Sequence, residues 1–412
     1  SEALNMRISS TQYFTMNVAT MSDQQAQLSQ LYAQISSGVS LSTPSDNPLG
    51  AAQAVQLSST ATTLAQYTSN QNTALASLQL ESTTLGSVTQ VLQKVHTLVL
   101  NAGDGALNNG DRGSIATELQ SLRSQLMTLA NATDPQGNYL FAGYQSSAQP
   151  YNTNSAGVVT YSGDTGIPAV QITDSHLVQT SDNGTSIFSS VAPIGTSSVP
   201  AGAAANTGTG VIGTVSLNNP TDPTNNNTYS INFSSSTTYT VSQTDPATGA
   251  VTTSGPQAFT AGSAITLGGQ SVTISGAPNA GDSFSVTPAT QGSMDVFANL
   301  SQLISTLQSP ISGGASTASY QSALVTSMTQ LENTINNVVT ATATVGGRSQ
   351  EVQALQKVTQ NNTLQTASNL SDLTQTDMIK TVGKYTLAQN ALQAAQQAFV
   401  KIQNLSLFQY LN

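Results

Sequence analysis

Two histidines, His96 and His176, are the only side chains here that ordinarily exchange a proton near neutral pH, and they stand far apart in the sequence. Asp174-Ser175-His176 sets an acid, a hydroxyl and an imidazole in consecutive positions. A nucleophilic triad draws its members from distant segments so that each side chain can aim at the next, and neighbours in sequence splay apart instead. His96 falls within the apolar spacing of Leu92, Val95 and Val99 and reads as a flank residue of a packed helix. Asp182-Asn183-Gly184 and Asp245 to Gly249 have the composition of turns, and as calcium ligands they are weak. There is no Gly-x-Ser-x-Gly, no phosphate-binding Gly-x-x-x-x-Gly-Lys-Ser/Thr, no His-Glu-x-x-His and no complete EF-hand loop. With no cysteine, the chain can make no disulfide, iron–sulfur cluster or thiolate zinc site. We therefore expect no catalytic residue, no cofactor and no metal: not an enzyme.

Charge narrows the partners. Only 7% of the 412 residues are charged, and Ser, Thr, Asn, Gln and Ala fill the place of charge. No Lys or Arg occurs between Arg123 and Arg348, so residues 124–347 carry −9 of the net −10. Nucleic acid and anionic lipid both need clustered cations, so no nucleic acid and no membrane surface is expected as a partner. No apolar run approaches the roughly 20 residues of a membrane helix, and no signal peptide of the Sec type opens the chain. Residues 1–5 read as a remnant before a Met6-Arg7-Ile8-Ser9 start.

The elements that must position any interaction surface are helical at both ends. Phe14, Val18, Met21, Leu28, Tyr32 and Ile35 follow a four-three spacing, with Gln25 the one polar member, which predicts a helix with a coiled-coil seam ending at Gly38. Asp46 or Asn47 can cap the next helix, with Pro48 in its first turn, and that helix should run from about Leu49 to Leu100. Ile115, Leu119, Leu122, Leu126 and Leu129 predict a third. From Gly137 the period changes to two: Tyr229, Ile231 and Phe233 alternate, as do Tyr239 and Val241. Ile265 to Ile274 read as a hairpin around Gly268-Gly269, and Phe284 and Val286 add a strand. Helices return at Phe297 and again from Tyr320, and a last stripe is Tyr385, Ala388, Leu392, Ala395, Phe399 and Ile402. The expected class is α+β. An elongated helical bundle and coiled coil is formed by the N- and C-terminal regions, with an inserted β-rich domain. The expected partition is a terminal coiled coil at 6–45 and 370–412, a bundle with a β-hairpin at 46–180 and 290–369, and the β-rich insert at 181–289.

The terminal stripes are the sharpest signal. Coiled coils that stand alone usually line their seams with Glu and Lys, whereas these polar faces are Gln, Asn, Ser and Thr, which can be buried against a neighbour at lower desolvation cost. The expected assembly interface comprises Phe14, Val18, Met21, Leu28 and Ile35 on the first helix. On the last it comprises Tyr385, Leu392, Phe399, Ile402, Leu405 and Phe408.

Specific segments carry a resemblance. Met6-Arg7-Ile8-Ser9, Ile35-Ser36-Ser37-Gly38, Pro44-Ser45-Asp46-Asn47-Pro48, Ala51-Ala52-Gln53-Ala54 and the ending Asn404 to Asn412 resemble the flagellin superfamily. Gly137 to Tyr144 and Gly281-Asp282-Ser283-Phe284 look like its hook–filament junction branch more than its filament-forming branch. The resemblance covers roughly residues 6–180 and 280–412. It implies a structural subunit of the bacterial flagellum, extracellular and exported through the flagellar type III apparatus, with the terminal helices in an inner tube and the β domain outermost. The partners so implied are further copies of itself, a neighbouring hook-associated protein, flagellin, and a cytoplasmic export chaperone. The alternatives are a filament-forming flagellin and, less well matched, a secreted adhesin or hydrolase with a β-rich head.

Overall fold

A computed structural model describes residues 2–40 and 47–408 of the chain. Their contacts divide them into two compact units, Ser1–Ser69 with Gln356–Asn412, and Asn70–Leu355. The helices are α1 (Glu2–Ser37), α2 (Pro48–Ala102), α3 (Asn109–Ala130), a short α4 (Gly184–Phe188), α5 (Val296–Gln308), α6 (Gly314–Thr374) and α7 (Met378–Phe408). All strands described lie between α3 and α5, so the α+β class with a sheet-rich insert holds.

Local chemistry sets the helix ends. Gly38, at φ +71°, takes the left-handed conformation that stops α1. The Asn47 carboxamide oxygen accepts from Gly50 N at 3.0 Å, capping α2 with Pro48 in its first turn as expected; Asp46, the other candidate cap, lies outside the described residues. Asn108 and Asp111 form a capping box at the start of α3, and Asp295 caps α5.

In the larger unit, α2, α3, α5 and α6 bury one apolar core that includes Leu85, Leu92, Leu119, Leu126, Leu303 and Val338. In α3 the expected Leu119, Leu122 and Leu126 are buried, whereas Ile115 and Leu129 sit only partly buried at its margin. The segment after α3 returns over this core through two hairpins, β1 (Tyr151–Thr153) with β2 (Val159–Tyr161) and β3 (Ala169–Thr173) with β4 (His176–Gln179). The first is anchored by edge-to-face and tilted contacts among Phe141, Tyr151, Phe188 and Phe297, with ring centroids 5.2–5.9 Å apart, and the second buries Ile172 and Val178 in the same core.

The insert packs two sheets face to face. One has the order β10 (Val251–Thr253), β9 (Thr238–Thr244), β8 (Thr228–Ser235), β14 (Ser283–Thr287) and β5 (Val199–Gly202), with β11 (Gln257–Ala258) also on β9. The other runs β12 (Ala264–Leu267), β13 (Gln270–Ser275), β6 (Val211–Ile212), with β7 (Ser216–Leu217) on β13. Tyr229, Ile231, Phe233, Ile265, Leu267, Val272, Ile274, Phe284 and Val286 are buried between them and Tyr239 and Val241 partly so, which is the face that the alternation predicts. The Gly268-Gly269 turn joins Leu267 to its partner Gln270, with Gly268 at φ +62°. Ser197 and Asn333 exchange two hydrogen bonds, 2.9 and 2.8 Å, and Thr326 Oγ1 donates to Pro200 O at 2.7 Å, so the entry to the insert is held on α6.

One buried position breaks the apolar rule. Glu81 occupies the buried line of α2 between Leu78 and Leu85 and is fully enclosed. Asp182 N donates to Glu81 Oε1 at 2.9 Å, and Arg348 Nη2 donates to Asp182 Oδ1 at 3.1 Å. The Arg348 guanidinium thus pairs with the Asp182 carboxylate, and Glu81 is tied to the same residue through its backbone N–H. Burial, reinforced by the Asp182 charge, pushes the Glu81 carboxyl up to about 8.

Candidate assembly surface

The residues with chemical potential are engaged structurally. His176 Nε2 lies 2.9 Å from Glu351 Oε1 on α6, so its imidazole is aimed at a partner other than Asp174 or Ser175. His96 stands 3.6 Å from Glu332. Asp182 is paired with Arg348 on α6, and Asp245 accepts from Ala247 N and Thr248 Oγ1 within its own turn, so the carboxylates of both weak calcium candidates are engaged by protein groups. Among the described residues no group of three His, Cys, Asp or Glu could hold a metal ion, and no helix is long and apolar enough to cross a membrane.

The terminal helices offer a surface instead. α1 and α7 pack antiparallel, and two aromatic contacts give the register: Phe14 with Phe399 at 5.3 Å and Tyr32 with Tyr385 at 6.4 Å between ring centroids. A backbone clip closes one end. Val39 and Gln375 form an antiparallel bridge, flanked by Ser40 N to Thr374 O at 2.8 Å and Thr376 N to Gly38 O at 2.9 Å. Asp377 then caps α7, its side chain accepting from Lys380 N at 3.1 Å and its carbonyl from Thr381 N at 2.8 Å.

On α7 the line facing α1 is Thr381, Tyr385, Ala388, Leu392, Ala395 and Phe399, the spacing read from the sequence with one turn added at its start. On α1 the inner line is Asn17, Met21, Gln24, Leu28, Leu31 and Ile35, with Leu31 its one buried member. Met21, Leu28 and Ile35 belong to both the expected and the observed stripe. Val18, Gln25 and Tyr32 do not: they lie one residue further round, with Val18 and Tyr32 45% and 62% exposed. The two candidate lines share every second member and differ by a single residue at the others, so four-three spacing alone could not separate them. A two-helix contact buries the narrower line. Leu31 was the missed residue, and its aliphatic side chain beside Tyr32 was the available clue. Phe14 stacks on Phe399 yet stays 45% exposed. The side chains of Ile402, Leu405 and Phe408 lie outside the described residues.

Known proteins are similar to this chain. The sequence model of the bacterial flagellin N-terminal helical region matches residues 8–146. Flagellar hook-associated protein 3 of Salmonella typhimurium is 26% identical over 405 residues, covering 98% of this chain and 99% of that protein, and the Escherichia coli protein of the same name aligns equally. The crystal structure of Xanthomonas campestris FlgL, 27% identical, superimposes with a TM-score of 0.66 over 75% of this chain and 97% of its own. The flagellar junction protein FlgL of Legionella pneumophila, 24% identical, shares the fold with a TM-score of 0.65 over 78% of this chain and all of its own.

Proposed function

We propose that this chain, a homologue of flagellar hook-associated protein 3 along nearly its whole length, is a structural subunit of the bacterial flagellum that joins the hook to the flagellin filament. The observation that carries this reading is the end-to-end alignment, 98% of one chain on 99% of the other, which takes in both terminal helices and the insert together. The role is mechanical rather than catalytic. It rests on surfaces, and the exposed apolar residues of α1 and α7 are the ones a free subunit has least reason to keep.

In finer detail, the partners are further copies of the chain, a neighbouring hook-associated protein and flagellin, with a cytoplasmic export chaperone before assembly and passage through the flagellar type III apparatus. The terminal pair supplies the contacts, with Phe14, Val18, Met21, Leu28, Ile35, Tyr385, Leu392 and Phe399 as its described members.

Deletion of the coding sequence tests this directly. Cells should keep hooks, release flagellin into the medium and lack filaments, and the wild-type chain supplied in trans should restore them. Purified chain should not polymerise alone into long filaments; if it does, the filament-forming alternative is correct.

The insert should be dispensable for attachment. Gly202 pairs with Phe284, and Ala203 N donates to Ser283 O at 3.0 Å, so β5 and β14 end side by side. Residues 203–282 can be replaced by a short Gly-Ser turn, with Phe284 and Val286 changed to Thr because excision uncovers them. This variant should keep its helical circular dichroism and support at least partial filament attachment. Complete loss of attachment by a folded, exported variant would show that the insert makes an essential subunit contact.

A further inference from the structure

The β3–β4 hairpin and the arm that leaves it, residues 169–183, lie against two long helices with modest apolar anchorage. Ile172 and Val178 sink into the core of the larger unit, whereas Leu177 stays 65% exposed. Polar contacts supply much of the rest. On α2, Asn70 Nδ2 donates to Gln171 O at 2.7 Å, Gln71 Nε2 donates to Ile172 O at 2.9 Å, and Glu81 Oε1 accepts from Asp182 N at 2.9 Å. On α6, Glu351 Oε1 lies 2.9 Å from His176 Nε2, and Arg348 Nη2 donates to Asp182 Oδ1 at 3.1 Å.

Two of these contacts depend on a proton. Glu81 is enclosed, accepts one hydrogen bond at Oε1 and has no partner at Oε2, a setting that disfavours the ionised form. It faces Asp182 on the arm and Arg348 on α6. His176 forms an ion pair with Glu351 only as the imidazolium, a state that imidazoles ordinarily leave near neutral pH, and it shares its turn with Asp174. With both protons bound, two cations offset Asp182 and Glu351, and Glu81 is neutral. With both lost, Arg348 alone faces three carboxylates. Asp182 and His176 belong to the hairpin and arm, whereas Glu81, Arg348 and Glu351 belong to the helices. Departure of the segment therefore separates the like charges and lets water reach Glu81.

We propose that residues 169–183 form a proton-dependent latch, docked on α2 and α6 while Glu81 and His176 keep their protons and released from both helices in alkaline solution. The direction follows from linkage. Glu81 stands at about 8 when enclosed and at 4.5 when exposed, so the released state binds fewer protons, and between those values each pH unit favours release by up to about tenfold. The His176–Glu351 pair is half exposed and adds the smaller share, in the same direction. The helices beneath keep the core that includes Leu85, Leu92, Leu119 and Leu126, whose packing involves no proton. Release therefore changes the surface that α2 and α6 present while the larger unit stays folded. The latch is independent of the assembly reading.

Amide hydrogen exchange of the full chain, followed by mass spectrometry at pH 6 and pH 8 and corrected for the intrinsic pH dependence of exchange, tests the latch. A two-stranded hairpin is marginal by itself in water, so its ladder amides exchange once it leaves the helices, and Asp182 N loses its acceptor. Protection across residues 169–183 should fall at least about tenfold from pH 6 to pH 8, while that of residues 119–126 in α3 stays within about twofold. Glu81→Gln should remove most of the fall, and Glu81→Gln together with His176→Gln all of it. Constant protection of residues 169–183 in the wild-type chain would overturn the latch, as would an equal loss in α3, which would mean global unfolding. A double variant that is helical by circular dichroism yet keeps the full wild-type fall would assign the protons to other groups and overturn it too. The wild-type series decides alone if the double variant does not fold.

Discussion

Leu392→Glu together with Phe399→Glu is expected to abolish filament attachment while leaving the larger unit folded. Both residues lie on the inner line of α7, and Phe399 stacks on Phe14. Each exchange removes a half-buried apolar side chain, whose full burial would contribute about 1.5–3 kcal/mol, and sets a carboxylate against α1 at a further desolvation cost. Together they cost about 3 kcal/mol, on the order of a hundredfold in the population of the paired state. The core containing Leu85, Leu92, Leu119 and Leu126 lies within Asn70–Leu355, so its cooperative unfolding transition should not move. Circular dichroism melting of the purified variant checks that half of the statement, and counting filaments on complemented deletion cells checks the other. Normal motility of the double variant would remove α1–α7 pairing from the assembly mechanism.

Glu81→Gln should stabilise the larger unit, and by an amount that depends on pH. The Glu81 carboxyl is raised to about 8 in the folded chain, above its value of 4.5 when unfolded, so between these limits the unfolded chain gives up its proton first. The folded state is therefore favoured most below about 4.5, and this contribution is lost as pH rises through about 8. Glutamine imitates the protonated acid: its carbonyl oxygen can still accept from Asp182 N, and its amide can donate where the ionised acid cannot. Wild type and variant should melt together near pH 4.5. They should separate progressively up to about pH 8, where the variant leads by a few kcal/mol on the scale of ~1.4 kcal/mol per pKa unit. A stability difference that stays constant from pH 5 to 9 would mean that Glu81 is ionised in the fold at neutral pH. Arg348→Met at the same site should act in the opposite direction, because it leaves the largely buried Asp182 carboxylate without its cation.

The amino-acid sequence by itself determined the order of helices, strands and helices, the capping of α2 at Asn47, the α7 seam and the two-sided face of the insert. Each depends on periodicity or on a cap within a few residues, so the information is local. The family resemblance was also legible in part because Gly137 and Gly281, which open two of its motifs, take positive φ at turns that favour glycine. What only the tertiary structure decided was which of two adjacent lines on α1 faces its partner. Val18 and Tyr32 satisfy the same four-three rule as Leu31, and only docking against α7 selects Leu31, since a second helix covers a narrow strip and leaves its neighbours in water. The Glu81, Asp182 and Arg348 cluster was illegible for a related reason. Its members are drawn together from α2, the entry to the insert and α6, at sequence separations of 101 and 166, and no spacing rule reaches so far.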